Sequence, residues 1–440
     1  MPRKVAASAA LLIAALPSGA LAGPAATAVV EKAIAVTQVY GEGQKIRAVA
    51  LKINTPVSEK SLSIRDFSVD GRTITQAYTS RSTDPADRSP VGRYVILELS
   101  PADEGAALKQ MRRPPAPANP GSGVPAENTV PLHFPEPIFR DASALVHLKA
   151  SFKASNGRLI PAGASYTTTQ VRDLVVEDFR QMTFKDPKTG DTLAYNLFLP
   201  KNYQPSKRYP LVLFMHDAAS SGKNPLVTLK QGRGAISWAS PADQARNPSI
   251  VVAPQYPDPV ANDESETTSA LDTTVDLIKD LESRYSIDSD RVYATGQSGG
   301  AMLTIAMNIK YPGLFAASYI VAGQWDAEKA RSLQHERVWI LVSQGDEKAF
   351  PGQNAITGLW EKDGAKVAHD VWDGRSNASQ FDEEVARVVA QKRSLNYVTF
   401  TKGTVVLPGQ PDNGGMNHVN TWRIAYDIPG IRDWLFAQKK

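Results

Sequence analysis

The chain has 440 residues, 42% hydrophobic and 21% charged, a composition that suits a globular protein of two or three domains. A formal net charge of +4 is too small at this length to argue for nucleic acid or an anionic membrane as a partner. There is no cysteine, which excludes disulfides, thiolate metal sites, cysteine nucleophiles and thiol redox chemistry.

The chain begins with the short basic stretch MPRK. VAASAALLIAALPSGALA follows, apolar and rich in small residues, ending in Ala20-Leu21-Ala22. This pattern reads as a signal peptide over residues 1–22, cut after Ala22, and so as export to a periplasm or to the cell exterior. The competing reading, a membrane anchor, is weakened by the shortness of the run and by the Pro- and Ala-rich sequence after it. With no second long apolar segment, no membrane span is expected after cleavage.

Residues 29–168 read as an all-β unit. AIAVTQVY, KIRAVALKINT, RYVILELS and ALVHLKASFKA are short alternating runs broken by Gly, Asn, Asp and Pro, the pattern of a small immunoglobulin-like sandwich. Within it, residues 112–131 (RRPPAPANPGSGVPAENTVP) have the composition of an irregular exposed loop. From residue 171 to 440 the texture changes. Strand-like TLAYNLFLP is followed by LVLFM, SIVVAP, RVYAT, AASYIVA and VWILVS, continuous apolar runs that suit parallel strands buried on both faces. Helical stretches at Thr268–Tyr285 and in GAMLTIAMNIKYP separate the later ones. The alternation predicts a doubly wound, mostly parallel α/β domain.

One serine stands where this fold exposes a reactive group. In RVYATGQSGGAM, Ser298 follows a buried strand and precedes a helix, with Gly296 and Gly300 two residues to either side. A serine on such a turn is strained and presented at the carboxyl edge of the sheet. The Gly299 amide, at the helix N-terminus, is free to face a developing oxyanion. Where a nucleophile occupies this turn, an acid and then a histidine follow it in the chain. Asp346, in VWILVSQGDEKAFPG, lies just past a strand end and is the favoured acid; Glu347, Asp363 and Asp373 are its rivals. Of the two late histidines, His369 sits in a strand-like run. His418 sits in the Gly/Asn-rich PDNGGMNHVNTW, read as a loop before the terminal helix, and is the favoured base. The loop after LVLFM offers the amides of Asp217 or Ala218 as a second oxyanion donor. Trp325 and Trp422 are candidates for the pocket wall, with core packing as the competing reading for each. The chemistry calls for no metal or organic cofactor, and no H-E-x-x-H spacing is present.

These motifs, together with YPLVLFMHDA and NHVNTWRIAYDIPGIRDWL, resemble the carboxylesterase-type α/β-hydrolases. The chain is most similar to secreted bacterial esterases and predicted peptidases with an N-terminal immunoglobulin-like domain. The resemblance implies a Ser298–His418–Asp346 triad, an acyl-enzyme and an ester substrate, either a small molecule or one linked to a polymer. One departure stands out: the family usually has His-Gly at the oxyanion loop, and this chain has His216-Asp217. Three functions stay open at this level: an esterase, a serine peptidase on the same triad, and a secreted binding protein with weakened catalysis. The N-terminal unit is a candidate for shaping the pocket mouth, binding a surface or mediating self-association.

Overall fold

The computed structural model describes residues 28–110 and 135–440. The signal-like stretch 1–22 and the loop 112–131 lie outside the described residues.

The N-terminal unit is built on a long antiparallel hairpin, β1 (Val30–Tyr40) and β2 (Gly43–Ser58). The other strands used here are β3 (Phe67–Val69), β4 (Ile74–Ser80), β5 (Val91–Leu99), β6 (Leu145–Leu148), β7 (Ser165–Thr167) and β8 (Gln170–Asp173). One sheet runs β8-β1-β2-β5-β4 and a smaller one β7-β6-β3. Alternation decides the faces. Val49, Leu51 and Ile53 of β2 and Val95 and Leu97 of β5 join one core with Phe67, Val146 and Leu148 of the smaller sheet. β8 pairs in parallel with β1, so this sheet takes in Gln170–Asp173, beyond the Thr168 limit expected from the sequence.

The second unit holds a sheet of nine strands: β9 (Arg180–Lys185), β10 (Thr192–Phe198), β11 (Tyr209–Met215), β12 (Ile250–Gln255), β13 (Ile287–Gln297), β14 (Ala317–Val321), β15 (Val338–Ser343), β16 (Val367–Trp372) and β17 (Leu395–Phe400). Their order is β9-β10-β12-β11-β13-β14-β15-β17-β16. The pairs β9–β10 and β10–β12 are antiparallel and the others parallel. Every residue of β11 and β15 is buried, as expected of strands covered on both faces. The covering helices used here are α1 (Val227–Lys230), α2 (Ala270–Arg284), α3 (Gly299–Lys310), α4 (Ala349–Lys362) and α5 (Gly414–Ala425). The amphipathic α2 buries Leu271, Val275, Ile278 and Leu281.

The tip of the β1–β2 hairpin rests on the second unit. A Cβ at Gly41 would lie 2.5 Å from the backbone oxygen of Arg423 on α5, and one at Gly43 would lie 3.3 Å from the carbonyl of Lys230. Lys230 Nζ also reaches Asp173 Oδ2 at 3.1 Å.

Candidate active site

β13 ends at Gln297 and α3 begins at Gly299, leaving Ser298 alone on the turn with φ 51° and ψ −120°. A side chain in that left-handed region costs about 1–3 kcal/mol, which the surrounding contacts must hold in place. The Ser298 amide donates to Val321 O, at the end of β14, at 3.0 Å. The crossing of strand and helix leaves no room for a side chain at either flank: a Cβ at Gly296 would stand 2.3 Å from Gly300 O, and one at Gly300 2.1 Å from Met215 O.

Three side chains converge here. His418 Nε2 lies 2.9 Å from Ser298 Oγ, and His418 Nδ1 lies 2.5 Å from Asp346 Oδ2. A carboxylate only accepts, so Nδ1 carries the proton and Nε2 offers its lone pair to the serine hydroxyl. Asp346 is buried, and its other oxygen accepts from the amides of Lys348 (3.1 Å) and Ala349 (2.9 Å), where α4 begins. Both carboxylate oxygens are therefore committed, and the ring has one orientation available. Glu347, the rival acid, is exposed; Asp363 pairs with Arg331, and Asp373 accepts from the Arg375 amide. His369 lies on the edge strand β16, 2.9 Å from Glu361 Oε1.

His418 departs from expectation in one respect: it sits within α5, not in a loop. Glycines and asparagines read as breakers, but here Asn413 caps the helix, its Oδ1 accepting from the Met416 amide at 2.9 Å. The next residue, Asn417, is buried and ties α5 down. Its Oδ1 accepts from Ser343 Oγ (2.9 Å) and the Gly403 amide (3.2 Å), while its Nδ2 donates to Asp412 Oδ1 (2.6 Å). Nothing in the sequence singled Asn417 out.

On the facing side, β11 runs into His216, Asp217 and a short 3-10 turn, Ala218–Ser220. The position a Cβ would take on Gly299 lies 3.2 Å from the Ala218 amide nitrogen, so two amides at the start of helical turns adjoin each other beside Ser298. Asp217 has φ −70° and ψ 161°, ordinary extended backbone that needs no glycine. His216 is wholly buried, its Nε2 accepting from the Tyr256 amide (3.0 Å) and its Nδ1–H donating to Asp217 O (2.7 Å). Burial pushes its pKa below the usual 6.5, so it remains neutral and shapes the loop.

The two tryptophans part company. Trp325 is packed into the main core and does not line the recess beside Gly299 and Ala218, which is walled by Tyr256, Val260 and Leu303. Trp422 is half-buried and stands edge-on to the His418 ring, with centroids 4.9 Å apart.

Residues 32–174 match the family model described as the esterase Ig-like N-terminal domain, and residues 193–350 match the esterase PHB depolymerase model. A poly(3-hydroxybutyrate) depolymerase of Ralstonia pickettii is 27% identical over 236 residues, 50% of this chain and 46% of that protein. Acetylxylan esterase A of Emericella nidulans is 33% identical over 85 residues, 16% of this chain and 28% of that protein. The chain thus spans less than half the length of either relative. The crystal structure of a thermostable esterase superimposes with a TM-score of 0.72 at 24% identity, covering 93% of this chain and 100% of that one, which establishes a shared fold. The chain therefore joins a unit that matches the esterase Ig-like N-terminal domain model to one that matches the esterase PHB depolymerase model, in the fold shared with that esterase.

Proposed function

We propose that this protein is an exported serine esterase that cleaves carboxylic esters through an acyl-enzyme. The observation that carries the reading is the unbroken chain Ser298–His418–Asp346, with bonds of 2.9 and 2.5 Å, beside the adjoining turns of Gly299 and Ala218. His418 Nε2 takes the hydroxyl proton as Ser298 Oγ attacks the ester carbonyl carbon. The carbonyl oxygen becomes an oxyanion held by the Gly299 and Ala218 amides. His418 then returns its proton to the departing alkoxide oxygen, leaving the acyl group on Ser298. Water, deprotonated by the same nitrogen, attacks the acyl carbonyl, and Ser298 leaves with its proton restored. Asp346 holds the tautomer and stabilises the imidazolium. Export is supported by the signal-like residues 1–22.

A fluorophosphonate probe on the purified protein, beside Ser298→Ala, tests the reading. The parent is expected to label and the variant not. Labelling that persists in Ser298→Ala would sink it. The same two proteins, assayed on short aryl esters, acetylated xylan, poly(3-hydroxybutyrate) and a peptide panel, then separate the ester classes from one another and from amide cleavage.

A further inference from the structure

Beside the proposed triad lies a closed ring of buried polar side chains, drawn from three separate segments. Ser220 Oγ is 3.0 Å from Asp217 Oδ2 and 3.1 Å from Gln231 Oε1. Gln297 Nε2 is 3.0 Å from Asp217 Oδ2 and 3.0 Å from Gln231 Oε1. All four residues are buried. The hydroxyl has one proton and the amide two, so three protons meet two acceptors. The carboxylate is the stronger acceptor and draws the serine proton and one amide proton; the other amide proton goes to Gln231.

The ring's position gives it a consequence. Asp217 is one residue before Ala218, and Gln297 is two before Gly299. The Asp217–Gln297 bond therefore joins the two segments that carry the Ala218 and Gly299 amides, the donors of the proposed mechanism. It also holds the carboxylate, which would oppose an oxyanion, among buried polar side chains. We propose, on the esterase reading above, that the Asp217 carboxylate is a positioning residue that sets the separation of the Ala218 and Gly299 amides through Gln297 and Ser220. The loop is thereby held by a side chain at a position whose backbone is ordinary.

The test compares Asp217→Ala, Asp217→Asn and Ser220→Ala in the full chain. In Asp217→Asn the amide oxygen takes the place of Oδ2 and accepts both bonds; in Asp217→Ala both are lost. Removing an oxyanion donor outright lowers kcat about 10²–10³-fold, so misplacing one in Asp217→Ala is expected to lower it about 10–100-fold with KM within about twofold. Affinity for phenylboronic acid, a mimic of the tetrahedral state, should fall by the same factor as kcat. Asp217→Asn should recover most of that loss, and Ser220→Ala, which keeps the Gln297 bond, should lose about threefold. A merely structural role would lower the melting temperature without moving boronate affinity. Parental kcat and boronate affinity in Asp217→Ala would overturn the proposal, and so would an Asp217→Asn variant as impaired as the alanine. Should Asp217→Ala fail to fold, Asp217→Asn and Ser220→Ala decide by the same two readouts: a boronate affinity unchanged in Ser220→Ala overturns it. A parent protein that neither hydrolyses esters nor binds the boronate would bring down the esterase reading itself, and this inference with it.

Discussion

Among the described residues, two places join a serine, a histidine and an aspartate by hydrogen bonds, and their surroundings differ. In the N-terminal sandwich, His147 Nδ1 lies 2.7 Å from Ser165 Oγ, and its Nε2 lies 2.8 Å from Asp70 Oδ1. These distances match those around His418. The surroundings do not. The Asp70 side chain is 64% exposed, against 2% for Asp346. Ser165 lies on a regular strand, whereas Ser298 is held at φ 51° with helix-start amides beside it. Three residue types at hydrogen-bond distance are thus common chemistry. Burial of the acid, a serine at positive φ and helix-start amides beside it set one constellation apart from the other, and the proposed chemistry needs all three.

The comparison breaks most sharply at the serines. Ser298→Ala should cut kcat by about 10⁴–10⁶-fold, while Ser165→Ala leaves ester turnover where it was. Equal losses in the two variants would refute the assignment. The acids come next. Asp346→Asn should cost about 10⁴-fold by holding the wrong tautomer, and Asp70→Asn should leave kcat/KM at the parental value, as read by steady-state kinetics on a short aryl ester. A smaller effect belongs to Trp422, whose edge-on contact with His418 has no counterpart at His147. An aromatic pair of this kind is worth about 0.5–1.5 kcal/mol, so Trp422→Ala should lower kcat about 2–10-fold. An unchanged rate would show that the ring does not steady the imidazole.

The last effect concerns stability. The folded state holds His216 neutral with its pKa below 6.5, so the unfolded chain binds more protons as the medium acidifies. The stabilisation is complete above the unfolded value near 6.5 and is lost as pH falls through the lower folded value. Melting temperature of the hydrolase unit should therefore drop on acidification from neutral, and His216→Gln should flatten that slope. A slope equal to the parent's in the variant would assign the acid sensitivity elsewhere.

The fold was legible wherever one segment carried its own signal. LVLFM, RVYAT and VWILVS are buried strands because no alternation interrupts them, and Ser298 stood out because strand, glycine and helix adjoin in one stretch. What depends on distant partners was not legible. The GGMNH segment resembles a loop, yet it is helical because Asn413 caps it and because Asn417, bonded to Ser343 at the end of β15, and Thr421 are buried, which overrides weak local propensity. Residues 171–173 read as the start of the second unit, but this stretch pairs with β1. Trp325 and Trp422 looked alike in the sequence, and only packing separated a core residue from one that touches His418.

By itself, then, the sequence determined the two textures of the chain, the buried strands LVLFM, RVYAT and VWILVS, and the chain order of serine, acid and histidine, because hydrophobic period and turn chemistry are local properties. Only the tertiary structure decided that His418 comes from a helix, that His216-Asp217 needs no glycine, and that Asp217 meets Gln297, 80 positions away in the chain. Such contacts arise where separate segments reach the same end of one sheet. Their partners are chosen by packing, which no stretch of sequence carries alone.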